Sequence, residues 1–242
     1  MINTKLLAEI CEVAGAPGHE QRVREVVLRE VQPLVDEIKI DNMGNVVAIK
    51  KGKDRQKVMI AAHMDEIGFM VTHIDENGFV YFHTLGGFDP KTLTAQRVII
   101  HGKKDVIGVM GSKPIHLMNT ADRAKVPKIK DYFIDTGRGK KELEKLIGVG
   151  DTITRERKMI EMGDCLNCKS LDNRVSVFIL IEMLREMKTL PPYDVYASFT
   201  VQEEIGIRGA NVSSMEINPD FGFGLDFFSA GSFQPASLRS AT

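Results

Sequence analysis

The chain has 242 residues, 43% of them hydrophobic and 27% charged, enough for one sizeable core or two smaller ones. With 32 basic against 33 acidic residues it lacks the basic excess that nucleic-acid binding favours, and no apolar run is long enough to cross a membrane. An odd number of cysteines, 3, argues against a disulfide framework, and the polar start of the chain shows no signal peptide, so a soluble cytoplasmic protein is the default expectation.

Leu6, Leu7, Ile10 and Val13 recur at helical spacing until Gly15 stops the run, and Val23, Val26, Val27, Leu28 and Val31 predict a second helix. Glu37–Ile40 and Val46–Ile49 flank the turn residues Asp41, Asn42, Gly44 and Asn45 and read as a hairpin. Val58–Ala62 is a continuous apolar run, as expected of a strand buried on both faces of a parallel sheet. From Gly68 to about Glu161 the texture changes to short alternating strands. Phe69–Ile74 and Phe79–His83 surround Glu76-Asn77-Gly78, a hairpin signal, and Val98–His101 and Val106–Met110 surround Lys103-Lys104-Asp105. One short helix is expected over Lys140–Ile147. Helix–strand texture then returns. Val175, Phe178, Ile179, Glu182 and Arg185 sketch an amphipathic helix, Val195–Val201 a strand, and Phe221–Leu225 another buried strand. The expected fold is α/β: a mixed sheet flanked by helices, formed by residues 1–67 and 162–242 and interrupted by a β-barrel-like domain at 68–161. The tail from Phe227 has 4 serines, no acid and no countable period.

Four clusters at strand ends or a helix start carry groups suited to chemistry, and in open α/β sheets that edge is where ligands bind. His63 and Asp65 are one residue apart, so in extended chain they point the same way; a metal-ligating imidazole steadied by a carboxylate competes with a strand-end histidine in a polar turn. Asp172 precedes a helix, where capping is the ordinary role and bridging two cations the alternative. Glu203 and Glu204 follow the strand Ser198–Val201; they are a solvated loop or, held by a cation, a metal ligand beside a general base. Asp226 closes a strand and alone reads as a cap or turn residue. Together these residues make an oxygen-rich set suited to two divalent ions.

The same stretches resemble the M42 metallopeptidases, whose members are also labelled glutamyl aminopeptidases or "cellulase M" proteins. Ala62-His63-Met64-Asp65-Glu66-Ile67-Gly68, Leu171-Asp172-Asn173-Arg174 and Val201-Gln202-Glu203-Glu204-Ile205-Gly206 match their metal, bridging-aspartate and Glu-Glu motifs in order. Gly15–Glu20 and Asp41–Asn45 also fit, and the match runs from about Leu6 to Asp226. The resemblance implies a zinc-peptidase-like domain with an inserted β-rich domain and an aminopeptidase acting on short peptides. It implies two zinc or cobalt ions, with His63 and Asp226 on one, Asp172 bridging and Glu204 on the other. Glu203 would be the base, and Asp65 would steady His63. It also implies self-association into twelve-subunit shells.

The family uses one further histidine near its C-terminus, whereas the histidines here end at His116. A chain cut short or frameshifted after Asp226 is therefore expected, with the second ion weak or missing and activity impaired. An inactive subunit that serves only in assembly is the alternative. A glucanase is a poorer one, because His63 has no task in a two-carboxylate glycosidase. Cys165 and Cys168 form a lone Cys-x-x-Cys without a second pair and read as incidental thiols, with Cys11 in the core.

Overall fold

The structure is a computed structural model that describes residues 2–123 and 125–227. The first helix, α1, is Thr4–Glu12; Asn3 caps it by accepting the Leu6 N–H at 3.2 Å, and Leu6, Leu7, Ile10 and Cys11 form its buried face. Helix α2, Gln21–Val31, buries Val23, Val26, Val27 and Val31 at the expected spacing. The hairpin follows as β1 (Glu37–Ile40) and β2 (Val46–Lys50), paired antiparallel from Glu37 opposite Ile49 to Ile40 opposite Val46. Strand β3, Asp54–His63, is longer than its apolar stretch.

The chain then leaves the first sheet. Strands β4 (Gly68–Ile74), β5 (Val80–Leu85), β6 (Arg97–His101), β7 (Asp105–Ser112), β8 (Tyr132–Asp135) and β9 (Thr152–Arg155) close a barrel in the order β4-β5-β8-β7-β6-β9. Its interior is packed with side chains that include Phe69, Val71, Phe82, Ile100, Tyr132 and Ile153. Two short helices lie within this stretch, α3 (Thr120–Arg123) and α4 (Lys140–Leu143). The second is shorter than the Lys140–Ile147 expectation, although helix-type bonding continues to Ile147, whose N–H reaches the Leu143 carbonyl at 2.9 Å. A small hairpin, β10 (Ile160–Met162) with β11 (Cys165–Asn167), leads back to the first sheet.

Helix α5 (Leu171–Glu186), strand β12 (Tyr193–Thr200), helix α6 (Arg208–Ile217) and strand β13 (Phe221–Gly224) complete the described fold. The first sheet has the order β1-β2-β12-β3-β13, antiparallel through β2–β12 and parallel through β12–β3 and β3–β13. Ile10, Val27, Phe178 and Phe199 belong to the main core of α1, α2, α5 and the sheet, while Val47, Ile49, Met59 and Ile217 pack on the α6 side.

The strand Phe221–Leu225 was expected to be buried and is not: Phe221 is 49% and Phe223 59% exposed. The reason is position, since β13 is the outermost described strand and has one strand neighbour, β3. The tail from residue 228 lies outside the described residues.

Register brings the site to one edge. His63 ends β3 opposite Thr200 near the end of β12, and Ala61 pairs with Gly224, so the chain after β13 emerges beside His63. The loop after β12 is held by Asn45, just before the neighbouring strand β2; its Oδ1 accepts the Val201 N–H at 2.9 Å and its Nδ2 donates to the Gly209 carbonyl at 3.0 Å. Gly209 is required there, because a Cβ would stand 2.2 Å from the Val201 carbonyl oxygen. Replacing Asn45 with Ala orphans two buried backbone groups, each costing about 1–3 kcal/mol. We expect Asn45→Ala to lose about 2–4 kcal/mol in urea denaturation; a loss under about 0.5 kcal/mol would contradict this account of the loop.

Candidate metal centre

The imidazole of His63 is 4% exposed and lies between two sets of carboxylates. On one side, Nδ1 is 3.3 Å from Asp65 Oδ1 and 3.2 Å from the Asp65 carbonyl. On the other, Nε2 is 3.4 Å from Asp172 Oδ1, 3.7 Å from Glu203 Oε2 and 3.9 Å from Asp226 Oδ1. Ligand atoms of His63, Asp172 and Glu204 also lie within 4.8 Å of one another. The structure thus gathers all six residues singled out in the sequence: His63, Asp65, Asp172, Glu203, Glu204 and Asp226.

The local backbone shows how each is aimed. Asp65 is fully buried and accepts the N–H groups of Glu203 at 3.0 Å and Glu204 at 3.1 Å, so one carboxylate ties the end of β12 to the end of β3. Gln202, just before them, has φ of 54°, and its N–H donates to Glu20 Oε1 at 3.1 Å. Gly86, with φ of +92°, permits close approach from the barrel; a Cβ there would sit 3.3 Å from Cβ of Glu204. Asp172 lies at the start of α5, where its φ of −79° and ψ of 111° are non-helical, and its carboxylate faces His63 Nε2. Asn173 donates to the Leu225 carbonyl at 2.8 Å, which brings the Asp172 and Asp226 stretches together. Asp226 keeps a turn-type bond, accepting the Phe227 N–H at 2.7 Å, while also facing His63.

A second charged group, unmarked in the sequence reading, lies behind the centre. Glu66 is 1% exposed and accepts from Lys169 Nζ and, at 2.7 Å, from the Ser170 hydroxyl. Arg174 is fully buried; its guanidinium comes within 3.8 Å of Glu66 and donates to the carbonyls of Ile10 at 2.6 Å and Val13 at 3.2 Å. These bonds hold the start of the Asp172 turn to Glu66 and its end to the C-terminal part of α1. Glu66 and Arg174 lie within the quoted motifs without a role of their own, because a single sequence gives no sign of which charged residues are buried.

Electrostatics explain what the centre lacks on its own. Burial opposes charge on His63, but the carboxylates of Asp172 and Asp65 outweigh it and push the imidazole up to about 10. Burial raises Glu203, and it raises Glu204 to about 7. Concentrated carboxylates thus draw in protons to offset their mutual repulsion. A divalent cation would supply the same positive charge through a nitrogen and oxygens, the donor types that zinc and cobalt accept. The residues present fit such a group.

A family profile described as M42 glutamyl aminopeptidase matches residues 44–240. A putative aminopeptidase of Acetivibrio thermocellus is 36% identical over 227 residues, covering 93% of this chain and 66% of that protein. Among solved structures, a TET aminopeptidase from a marine-sediment Thaumarchaeota archaeon superposes with a TM-score of 0.92 at 34% identity, covering 96% of this chain and 68% of that one. The TET1 peptidase of Pyrococcus horikoshii, described as assembling into a tetrahedron or a large octahedral shell, gives 0.86 at 30% identity, covering 95% of this chain and 70% of that one. The chain spans 65–66% of the length of the first curated relatives it matches.

The raised carboxyls predict a pH dependence for cation-free protein. Burial lifts Glu20, like Glu204, from 4.5 to about 7. A carboxyl raised on folding favours the folded state below its unfolded pKa, and that contribution is lost as pH rises through the folded value. With chelator present, these two groups therefore lower stability as pH rises from about 4.5 to about 7. Glu20→Gln should flatten that slope in urea denaturation, and an unchanged slope would contradict the assignment.

Proposed function

The chain belongs to the M42 glutamyl aminopeptidase family, and from that premise we propose that it is a metal-dependent aminopeptidase releasing N-terminal residues from short peptides at a dinuclear zinc or cobalt centre. The observation that carries this reading is the convergence on His63 Nε2 of carboxylates from three other stretches, at 3.4, 3.7 and 3.9 Å. His63 and Asp226 would hold one ion, Asp172 would bridge, and Glu204 would hold the other. Among the described residues the first ion has three of these donors and the second two, so the first should fill at lower metal concentration. Bound there, the ions would polarise the scissile carbonyl and acidify the attacking water.

The protein's own groups supply the remaining steps. Asp65 holds the Nδ1 side of His63 and keeps Nε2 turned toward the carboxylates. Glu203 lies 3.7 Å from that nitrogen, with its side chain 28% exposed, and burial raises its pKa above the ordinary carboxylate value, which favours proton uptake. It would take a proton from the attacking water and pass it to the departing amine. Glu204 groups with His63 and Asp172 and is assigned to the metal, and Glu203 is assigned the proton transfer by its place in the Glu-Glu motif.

Self-association belongs to the same proposal. It is supported by the shell-forming relative and by apolar side chains exposed on and beside the barrel, Ile107 at 60%, Val109 at 43%, Ile115 at 68% and Leu117 at 61%. No helix among the described residues is long and apolar enough to cross a membrane.

Glu203→Gln should lower kcat for peptide hydrolysis by roughly a hundredfold to ten-thousandfold while zinc content, read by elemental analysis, stays unchanged. Asp172→Ala should lose zinc and activity together. Wild-type kcat in Glu203→Gln would exclude that residue as the base.

A further inference from the structure

A cavity of about 210 Å³ lies at the junction of the first sheet's domain and the barrel. One wall comes from the end of α1 and from Arg22 of α2, the other from β6, β9 and the start of β7. It is smaller than the about 300–1,000 Å³ of sites for drug-sized ligands, which limits an occupant to a small ion or a small ester. None of the six residues gathered around His63 lines it.

The charges facing this space do not balance. Arg22, Arg155, Arg157, Lys158 and Lys169 line it, against the carboxylates of Glu12, Asp105 and Glu156. Each carboxylate is already engaged. Asp105 takes both terminal nitrogens of Arg22, at 2.7 and 2.8 Å, and lies 3.0 Å from His101 Nδ1. Glu12 accepts from Lys158 Nζ at 2.7 Å and from the Met159 N–H at 2.9 Å. Glu156 pairs with Arg97 at 2.8 Å. Lys169 spends its charge on Glu66.

Arg155 and Arg157 are left without a carboxylate among the described residues. Arg157 donates to the neutral Gln96 side chain and is otherwise exposed at the rim. Arg155 ends β9 and is half-buried. Its Nη2 donates to the Lys169 carbonyl at 2.9 Å, and its guanidinium stands 5.9 Å from the Phe88 ring centre. Its Nε is buried and has no hydrogen-bond partner. A buried guanidinium donor without an acceptor is costly, and burial also works against the charge itself.

We propose that this cavity binds a phosphate dianion, free or as the head of a small phosphate ester, with Arg155 and Arg157 as its charged partners. Two uncompensated positive charges call for two negative ones. A phosphate group carries about −1.5 to −2 charges at pH 7 and offers three or more acceptor oxygens, whereas one carboxylate brings a single charge. The planar guanidinium fork matches phosphate oxygens, and an oxygen on the Nε side of Arg155 supplies the acceptor that nitrogen lacks. Because Arg155 already reaches the Lys169 carbonyl, the bound anion tightens the join between β9 and the segment leading into α5.

Isothermal titration calorimetry of the whole chain with inorganic phosphate at fixed ionic strength, before and after chelator treatment, tests the site. The expected result is saturable binding at one site per chain, the same with and without chelator. Arg155→Gln and Arg157→Gln should each weaken it about tenfold or more. Arg157 is exposed, so its variant keeps the test decisive if Arg155→Gln, which also loses the Lys169 bond, fails to fold. Lys141→Gln, which removes an exposed cation of α4, should leave binding unchanged. Glycerol 3-phosphate binding more tightly than inorganic phosphate assigns an esterified source, and the reverse order assigns the free ion. Absence of saturable binding, undiminished affinity in Arg157→Gln, or an equal loss in Lys141→Gln would overturn the proposal. Binding abolished by chelator would place the anion on a metal instead and overturn it as well, and acetate binding as tightly as phosphate would overturn the choice of a dianion.

Discussion

The carboxylate of Asp65 is the constraint on which the centre depends. It is fully buried, so its charge must be satisfied by groups held in place by the fold. One oxygen takes the Glu203 N–H and faces His63 Nδ1, and the other takes the Glu204 N–H. A single side chain therefore sets both the orientation of the imidazole and the position of two glutamates that come from a different strand. Parallel pairing of β3 with β12 makes this possible, because both strands end at the same edge of the sheet.

Behind that edge a second set of buried charges does for Asp172 what Asp65 does for Glu203 and Glu204. The Glu66, Lys169 and Arg174 group joins α1, the end of β3 and the start of α5. Removing one member would leave a buried charge without its partner, which is far more damaging than never having buried the group. The two supports meet through adjacent residues, Asp65 and Glu66, which face opposite ways from one short turn. The barrel adds a third contact through Gly86, whose missing side chain leaves room beside Glu204.

Much of this was legible because it was written in periods and turns. The α1 and α2 stripes, the hairpin at Asp41–Asn45 and the apolar run of β3 each carry a signal that local physics reads directly. Helix α6 was missed because its buried face consists of Gly209, Ser213 and Ile217, so its period is carried mostly by small residues rather than by an apolar stripe. Strands β8 to β11 are three or four residues each, too short for alternation to stand out. The apolar character of β13 pointed to burial, but exposure depends on which strands lie beside it, and that is not a local property. The site residues were legible as separate clusters at element boundaries, whereas their convergence depends on register.

The central claim is that a cation belongs among His63, Asp172, Glu204 and Asp226. Anomalous diffraction at the zinc edge from zinc-equilibrated crystals tests it most directly. The account predicts a peak bonded to His63 Nε2 and to carboxylate oxygens of Asp172 and Asp226, with a second peak toward Glu204 at higher zinc concentration. Zinc found on the cysteine sulfurs or at the surface, with none beside His63, would contradict it.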